Sequence, residues 1–254
     1  MRQLSGADFI LVIMSGNFVQ RGTPSILDKY LRAEMALRCG VNLVLELPCA
    51  AASGSASWFA SSAVAILDRL NIVDELWFGS EEGRMKPFAA LADFLFHEPK
   101  NFQMKLKDYL ISGASFPSSR MQALLDLFPK LHLPFNSEEA LKTFLTSPNN
   151  ILGLEYCLAL RRLNSPISPK TLKRIESGYH QEKTSNRFNS SSSIRRALLL
   201  MGPASVYNQV PNPVYSLLAK AWNSSSILQE NDFSLPLRYQ LLKETESSLC
   251  RYLS

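Results

Sequence analysis

Four short stretches hold residue types that could handle a phosphate-bearing ligand. The first is Met14-Ser15-Gly16-Asn17-Phe18-Val19-Gln20-Arg21-Gly22-Thr23-Pro24. Its glycines, Asn17, Gln20 and Arg21 offer backbone and side-chain donors just past an apolar run, although a plain connecting loop has the same composition. The second is Phe78-Gly79-Ser80-Glu81. Gly79 would let a flat ring or a ribose approach the backbone, and an ordinary strand-end turn would use it equally well. The third is Lys170-Thr171-Leu172-Lys173-Arg174, which joins the planar guanidinium fork to the point charge of an ammonium. On a strand, Lys173 and Arg174 face opposite sides, so only one turns easily towards a shared site. The fourth is Ser190-Ser191-Ser192-Ser193-Ile194-Arg195. Serines at a helix start present hydroxyls and free N–H groups where the dipole favours an anion. Arg195 in that first turn opposes the dipole, a local cost that a phosphate would offset. A simple N-cap accounts for one serine but not for its pairing with Arg195.

Charge points the same way. Nine Lys and Arg lie between Arg161 and Arg196, opposed only by Glu176 and Glu182. That leaves +7 in this block and −2 in the remainder of a chain whose formal charge is +5. A local basic block speaks for a phosphate-bearing partner more than the total does, although a solvated basic face has the same composition. His97, His132 and His180 stand apart, and no Ser/His/Asp arrangement is readable. Cys39, Cys49, Cys157 and Cys250 are widely spaced, with no CxxC and no Cys/His cluster. Neither a metal site nor a disulfide framework is expected, which suits a cytoplasmic protein.

Ordered elements must position these stretches. With 46% hydrophobic and 19% charged residues among 254, the chain is globular rather than disordered. Phe9 to Met14 reads as a buried parallel strand, followed by a helix from the Asp28 cap to Cys39. Leu43–Leu47 is a second strand, Ser53 to Leu70 a second helix, and Glu75–Gly79 a third strand. The uncharged stretch from Leu47 to Leu67 has the length of a membrane span. Its five serines, Pro48 and Gly54 make it too polar to insert, so no membrane partner is expected. Helical periodicity runs from Pro87 through Leu163, with breaks near Pro99, Pro117, Pro134 and Pro148. Lys170–Ile175 is one more strand and Ser190–Met201 one more helix, and short helices follow from Pro203. Alternating strands and helices imply an α/β fold with a parallel sheet and a following helical region.

Several blocks, in register from Gly6 to about Arg195, resemble the tRNA(Met) cytidine acetate ligase family of the nucleotidyltransferase superfamily. They are Met14 to Gly22, Asp28-Lys29 with Arg32 to Leu37, Leu45-Glu46-Leu47-Pro48 and Phe78-Gly79-Ser80-Glu81. Pro148 to Tyr156, Lys173-Arg174-Ile175 and Gly178-Tyr179-His180 complete the set. The resemblance implies a Rossmann-like, HIGH-type nucleotidyltransferase domain over residues 1–200, with a helical insertion at about 84–165. Residues 201–254 would form part of a C-terminal helical region. It implies activation of acetate by ATP, with Mg2+ as an optional companion ion, and transfer of the acetyl group to N4 of the wobble cytidine of elongator tRNA(Met). The family's ATP-binding positions carry over to Gly79, Asn149 and Arg174, which are expected to converge on one cleft. Lys173, Ser191, Ser192 and Arg195 are candidate phosphate ligands, the last three matching the superfamily's serine/threonine–Ile–Arg signature. Arg161 and Arg162 are candidate tRNA contacts.

One departure stands out. The family's HxGH motif occurs nowhere here, and the chain aligns from a point downstream of it. No catalytic residue is therefore assigned. By the same resemblance, the strand bearing that motif lies in mid-sheet. The expectation is weak adenylation by this chain alone and unpaired strand edges. The alternatives are a non-catalytic tRNA-binding remnant and an adenylyltransferase for another small molecule. Oligomeric state is left open.

Overall fold

The computed structural model describes residues 2–174 and 191–251. Its elements begin with α1 (Arg2–Ser5), β1 (Leu11–Ser15), α2 (Lys29–Arg38), β2 (Leu43–Leu47), α3 (Cys49–Ala52), α4 (Ala56–Leu70) and β3 (Glu75–Ser80). There follow α5 (Met85–His97), α6 (Lys100–Ile111), α7 (Phe116–Leu127), α8 (Glu138–Thr146), α9 (Pro148–Arg162) and β4 (Ser168–Lys173). The last are α10 (Ser191–Met201), α11 (Asn212–Asn223), α12 (Ser234–Lys243) and α13 (Glu246–Cys250). The strands and helices expected from the sequence are present to within a few residues, with two differences: β1 begins at Leu11 rather than at the exposed Phe9 and is half-buried rather than buried, and one expected helix is divided. The stretch read as a helix from Ser53 forms the short α3 and then α4, because Ser55 accepts from the Trp58 N–H and starts a fresh helix. No helix among the described residues is long and apolar enough to cross a membrane.

These elements group into two compact units, one within Gly54–Glu176 and the other combining Arg2–Ser53 with the described part of Ser177–Ser254. We call them the helical unit and the split unit.

The helical unit is built around α9. Asn150, Gly153, Leu154, Glu155, Cys157, Leu158, Ala159 and Leu160 are all buried on it, around most of its circumference, so its apolar pattern is not one-sided. Helix α4 packs against it with Ala60, Ala63, Val64 and Leu67, spaced as one helical stripe. A second layer, α5 to α8, closes a core that includes Phe88, Leu91, Phe102, Leu124, Leu141 and Phe144. Strands β3 and β4 pair in parallel from Glu75↔Ser168 to Ser80↔Lys173, and β3 lies against α9. That approach requires Gly153, where an added Cβ would fall 2.4 Å from the Phe78 ring. Arg120 on α7 reaches the buried Glu155 at 2.6 Å and lies over the Phe116 ring. A buried charge pair of this kind holds only while both partners remain.

The split unit contains the other parallel pair, β1 with β2, in register from Leu11↔Leu43 to Ser15↔Leu47. Its core joins Leu27 and Met35, from the first part of the chain, to Leu198, Val206, Leu217, Leu218 and Ala221 from the last. The Leu228 N–H donates to the Ile26 carbonyl at 2.9 Å, and Phe18 meets Phe233 edge-on.

Two measurements test the packing around α9. Gly153→Ala must push the Phe78 ring or the helix aside, at a cost of about 1–3 kcal/mol. Urea denaturation should show that loss with an unchanged slope. The Cys157 thiol is pushed up to about 12 by burial, whereas Cys39, Cys49 and Cys250 are exposed. A thiol-reactive dye at pH 8 should modify those three in the folded chain and Cys157 only on unfolding. Because the folded thiol holds its proton above the ordinary value of 9.0, its contribution to stability is full below about pH 9. It declines as the pH rises from there towards 12.

Candidate functional site

The site in the helical unit forms where three chain segments end together. Strand β3 runs out at Gly79-Ser80, β4 at Lys173-Arg174, and α9 begins at Pro148-Asn149. The carboxyl ends of parallel strands are where open α/β sheets take ligands. Ser80 is fully buried and fixes the corner. Its hydroxyl lies 2.7 Å from that of Thr171 and accepts from the Gly83 N–H at 2.9 Å. The Ser80 carbonyl accepts from the Arg174 N–H at 2.8 Å, which carries the β4 backbone one residue past the ladder. Gly83 then turns the chain with φ +74°, and a Cβ there would meet the Lys173 Cβ at 2.5 Å. Both conformation and space restrict that position to glycine.

The start of α9 is held by an acid from this turn. The Ser147 hydroxyl donates to the Thr143 carbonyl at 2.7 Å and makes no cap. The Glu81 carboxylate takes its place. Oε2 accepts from the Asn150 N–H at 3.0 Å, and Oε1 from Asn149 Nδ2 at 2.6 Å and more loosely from the Asn149 N–H at 3.4 Å. In return, the buried Asn150 side chain accepts from the Glu82 N–H at 3.0 Å. Turn and helix therefore satisfy each other's exposed backbone groups. With its amide nitrogen committed to Glu81, Asn149 turns its Oδ1 towards Arg174, whose Nη1 stands 3.5 Å away, the long end of a hydrogen bond. The Arg174 stem passes along Gly79, where an added Cβ would sit 3.4 Å from Cγ.

Gly79, Asn149 and Arg174 thus meet, although 95 positions separate the first from the last. Gly79 and Arg174 are exposed, so the meeting point is an open surface rather than an enclosed cavity. A hollow of about 260 Å³ lies instead at the amino ends of β3 and β4, among Asp68, Asn71, Ile72, Asp74 and Ile167. Lys173 is brought to the same corner on the other side of the strand, its stem against Gly83, as strand alternation requires.

The remaining sequence candidates are placed elsewhere. Ser191 and Ser192 are exposed at the start of α10 in the split unit, and Arg195 lies 4.0 Å from Glu230. Arg161 binds Asp93 at 2.8 Å and lies over the Phe96 ring, tying α9 to α5. Arg162 is exposed at the end of α9. Lys183, Arg187 and His180 lie outside the described residues. Among the described residues, no group of three or more His, Cys, Asp or Glu could hold a metal ion.

The loop after β1 uses many of its polar groups internally. Asn17 Oδ1 accepts from the Lys29 N–H at 2.9 Å, and the Asp28 carboxylate from Tyr30 and Leu31 at 2.8 and 3.0 Å. Together they close the first turn of α2. Arg32, half-buried, donates to the Gly16 and Ser15 carbonyls at 2.6 and 2.8 Å and to the Ser25 hydroxyl at 3.0 Å. Burial lowers its pKa from the ordinary arginine value. Lys29 pairs with Glu46 at 2.6 Å, which ties α2 to β2. Sequence reasoning quoted Glu81, Arg32 and Glu46 within motifs but gave them no role. Their partners lie 7 to 69 positions away, and no fixed local spacing marks them.

A family model described as HIGH Nucleotidyl Transferase matches residues 1–254. The chain belongs to the HIGH nucleotidyl transferase family. It is similar to the tRNA(Met) cytidine acetate ligase of Clostridium novyi, 36% identical over 242 residues that cover 95% of this chain and 59% of that protein. The protein of the same name from Acetivibrio thermocellus is 43% identical over 196 residues, 77% of this chain and 45% of the relative. The crystal structure of Thermotoga maritima TmcAL bound with alpha-thio ATP superimposes with a TM-score of 0.80 at 34% identity. That match covers 89% of this chain and 51% of the other. The chain therefore spans about half the length of the relatives it matches. The nucleotidyltransferase-type α/β fold read from the sequence, with parallel strands and many helices, is the fold observed.

Arg32 gives a direct test of how the loop after β1 is held. Arg32→Ala leaves two carbonyls and a hydroxyl without their donor, which should cost about 1–3 kcal/mol. Amide hydrogen exchange should accelerate over residues 15–25 and much less on α9.

Proposed function

We propose that this chain contributes the ATP-handling part of a tRNA(Met) cytidine acetate ligase. Residues 1–200 would form its nucleotidyltransferase-like portion and residues 201–254 part of a C-terminal helical region. The observation that carries this reading is the meeting of Gly79, Asn149 and Arg174 at the carboxyl ends of a parallel strand pair. An exposed glycine backbone, a fixed carboxamide and a guanidinium are suited to a nucleotide, the first two to its flat parts and the last to a phosphate.

In the first step a carboxylate oxygen of acetate attacks the α-phosphorus of ATP. The bond to the β-phosphate bridge oxygen breaks, pyrophosphate leaves, and acetyl-adenylate forms. The reaction brings anions together, so positioning and positive charge are the main requirements. Arg174 would supply that charge, while Lys173 approaches the same corner from the opposite side of the strand. Ser191, Ser192 and Arg195 are further phosphate candidates. Mg2+ would arrive on the nucleotide phosphates. In the second step N4 of the wobble cytidine attacks the acetyl carbon and loses a proton, and AMP departs. The basic block, with Arg162 in it, would meet the tRNA backbone through salt-dependent contacts. Arg161 would act there only as far as its hold on Asp93 allows. Such a reaction belongs in the cytoplasm, where its tRNA is found.

Equilibrium ATP binding and acetate-dependent ATP–pyrophosphate exchange test the reading. Arg174→Ala should lower exchange by about 10²–10³-fold, while leaving thermal stability nearly unchanged because the side chain is exposed. Exchange driven by another carboxylate and not by acetate would redirect the reading to a different adenylyltransferase. ATP binding unaffected by Arg174→Ala would remove the proposed site.

A further inference from the structure

We propose that Glu81 is a positioning residue for the nucleotide site, acting through the side-chain amide of Asn149; this rests on the ATP reading above. A carboxamide on an open surface can turn either end outwards, and the two ends are chemically opposite: one accepts, the other donates. Here Glu81 removes the choice. An ionised carboxylate only accepts, so at 2.6 Å its Oε1 can be paired only with the Nδ2 end of Asn149. The carbonyl end must then face Arg174, where it helps to hold the guanidinium on the Gly79 side at 3.5 Å. No ion pair joins Glu81 to Arg174 directly among the described residues. The influence of the acid on the guanidinium therefore runs through Asn149.

The same carboxylate has a second task that is separable from the first. Oε2 accepts from the Asn150 N–H at 3.0 Å and caps α9, which is a matter of helix stability. Loss of the capping bond weakens the fold whatever occupies position 149. Loss of the bond to Nδ2 matters to the ligand only while Asn149 is present. A Gln at position 81 presents an amide of its own. It can donate to Asn149 Oδ1 and so turn the donor end of Asn149 towards Arg174.

The test is a double-mutant cycle read by ATP affinity and by melting temperature. Glu81→Gln in the otherwise natural chain should weaken ATP binding about 10-fold, the range for a lost charge-assisted hydrogen bond. In an Asn149→Ala background the same substitution should change ATP affinity less than about 2-fold, since its route to the ligand is gone. The fall in melting temperature should be similar in both backgrounds, because the cap is common to both. Equal weakening of ATP binding in the two backgrounds would overturn the proposal, as would no weakening in either. A measurement on the unsubstituted chain guards against variants that fail to fold. In a 15N spectrum, with resonances assigned by their loss in Asn149→Ala, the Asn149 side-chain NH2 should be shifted downfield and slow to exchange. A freely exchanging signal at the solvent position would overturn the proposal. Failure of the unsubstituted chain to bind ATP would overturn the nucleotide reading instead, while the NH2 signal would still decide whether Glu81 holds the amide.

Discussion

A helix buried over most of its surface must still find partners for the first N–H groups of its backbone, and α9 finds them in the carboxylate of Glu81. Much of the helical unit follows from that contact. It brings the turn after β3 onto the helix start, and Asn150 completes the exchange by accepting from Glu82. With that corner closed, β3 can lie flat on α9 at Gly153, and β4 can pair alongside. The amino-terminal dipole of α9 is met by a protein acid rather than left open to an anion. Under the proposed nucleotide reading, positive charge for a phosphate would have to come from side chains, and Arg174 and Lys173 reach this corner from opposite sides of the strand.

The split unit satisfies a comparable need in a different way. Its loop after β1 presents carbonyl oxygens rather than N–H groups, and a cation answers them. Arg32 gathers Ser15, Gly16 and Ser25 around one guanidinium, while Asn17 and Asp28 cap the helix on which Arg32 sits. In that stretch the Asn17 side-chain oxygen and the Ser15 and Gly16 carbonyls are occupied with folding itself. Arg161 is a similar case. As part of a basic block it read as a surface charge for RNA, yet its guanidinium spans Asp93 and the Phe96 ring.

The strands were legible because apolar runs bounded by Gly, Pro and Asn leave few other options, and α2 because Asp28 marks its start. The helix expected from Ser53 starts instead after Ser55, whose hydroxyl caps α4, and nothing local in the sequence marks that serine out from Ser53 and Ser57. Gly79, Asn149 and Arg174 were reached through likeness to a family, and no periodicity would have selected them. Glu81 was not assigned a role because its value depends on an amide that arrives in space only after 68 further positions. Lys173 and Arg174 followed the simplest rule, alternation along a strand, and fell on the sides it requires.

The ladder between β3 and β4 pairs residues 93 positions apart, from Glu75 with Ser168 onwards. The segments between them are helices and short loops that can form from nearer neighbours, whereas the strand pair must wait for a long loop to close. On a ribosome, Gly79 would emerge well before Arg174 is synthesised, and the corner they share cannot exist in any shorter nascent chain. Its assembly is thus a late event of folding, and a nucleotide bound there would register that the whole helical unit has come together.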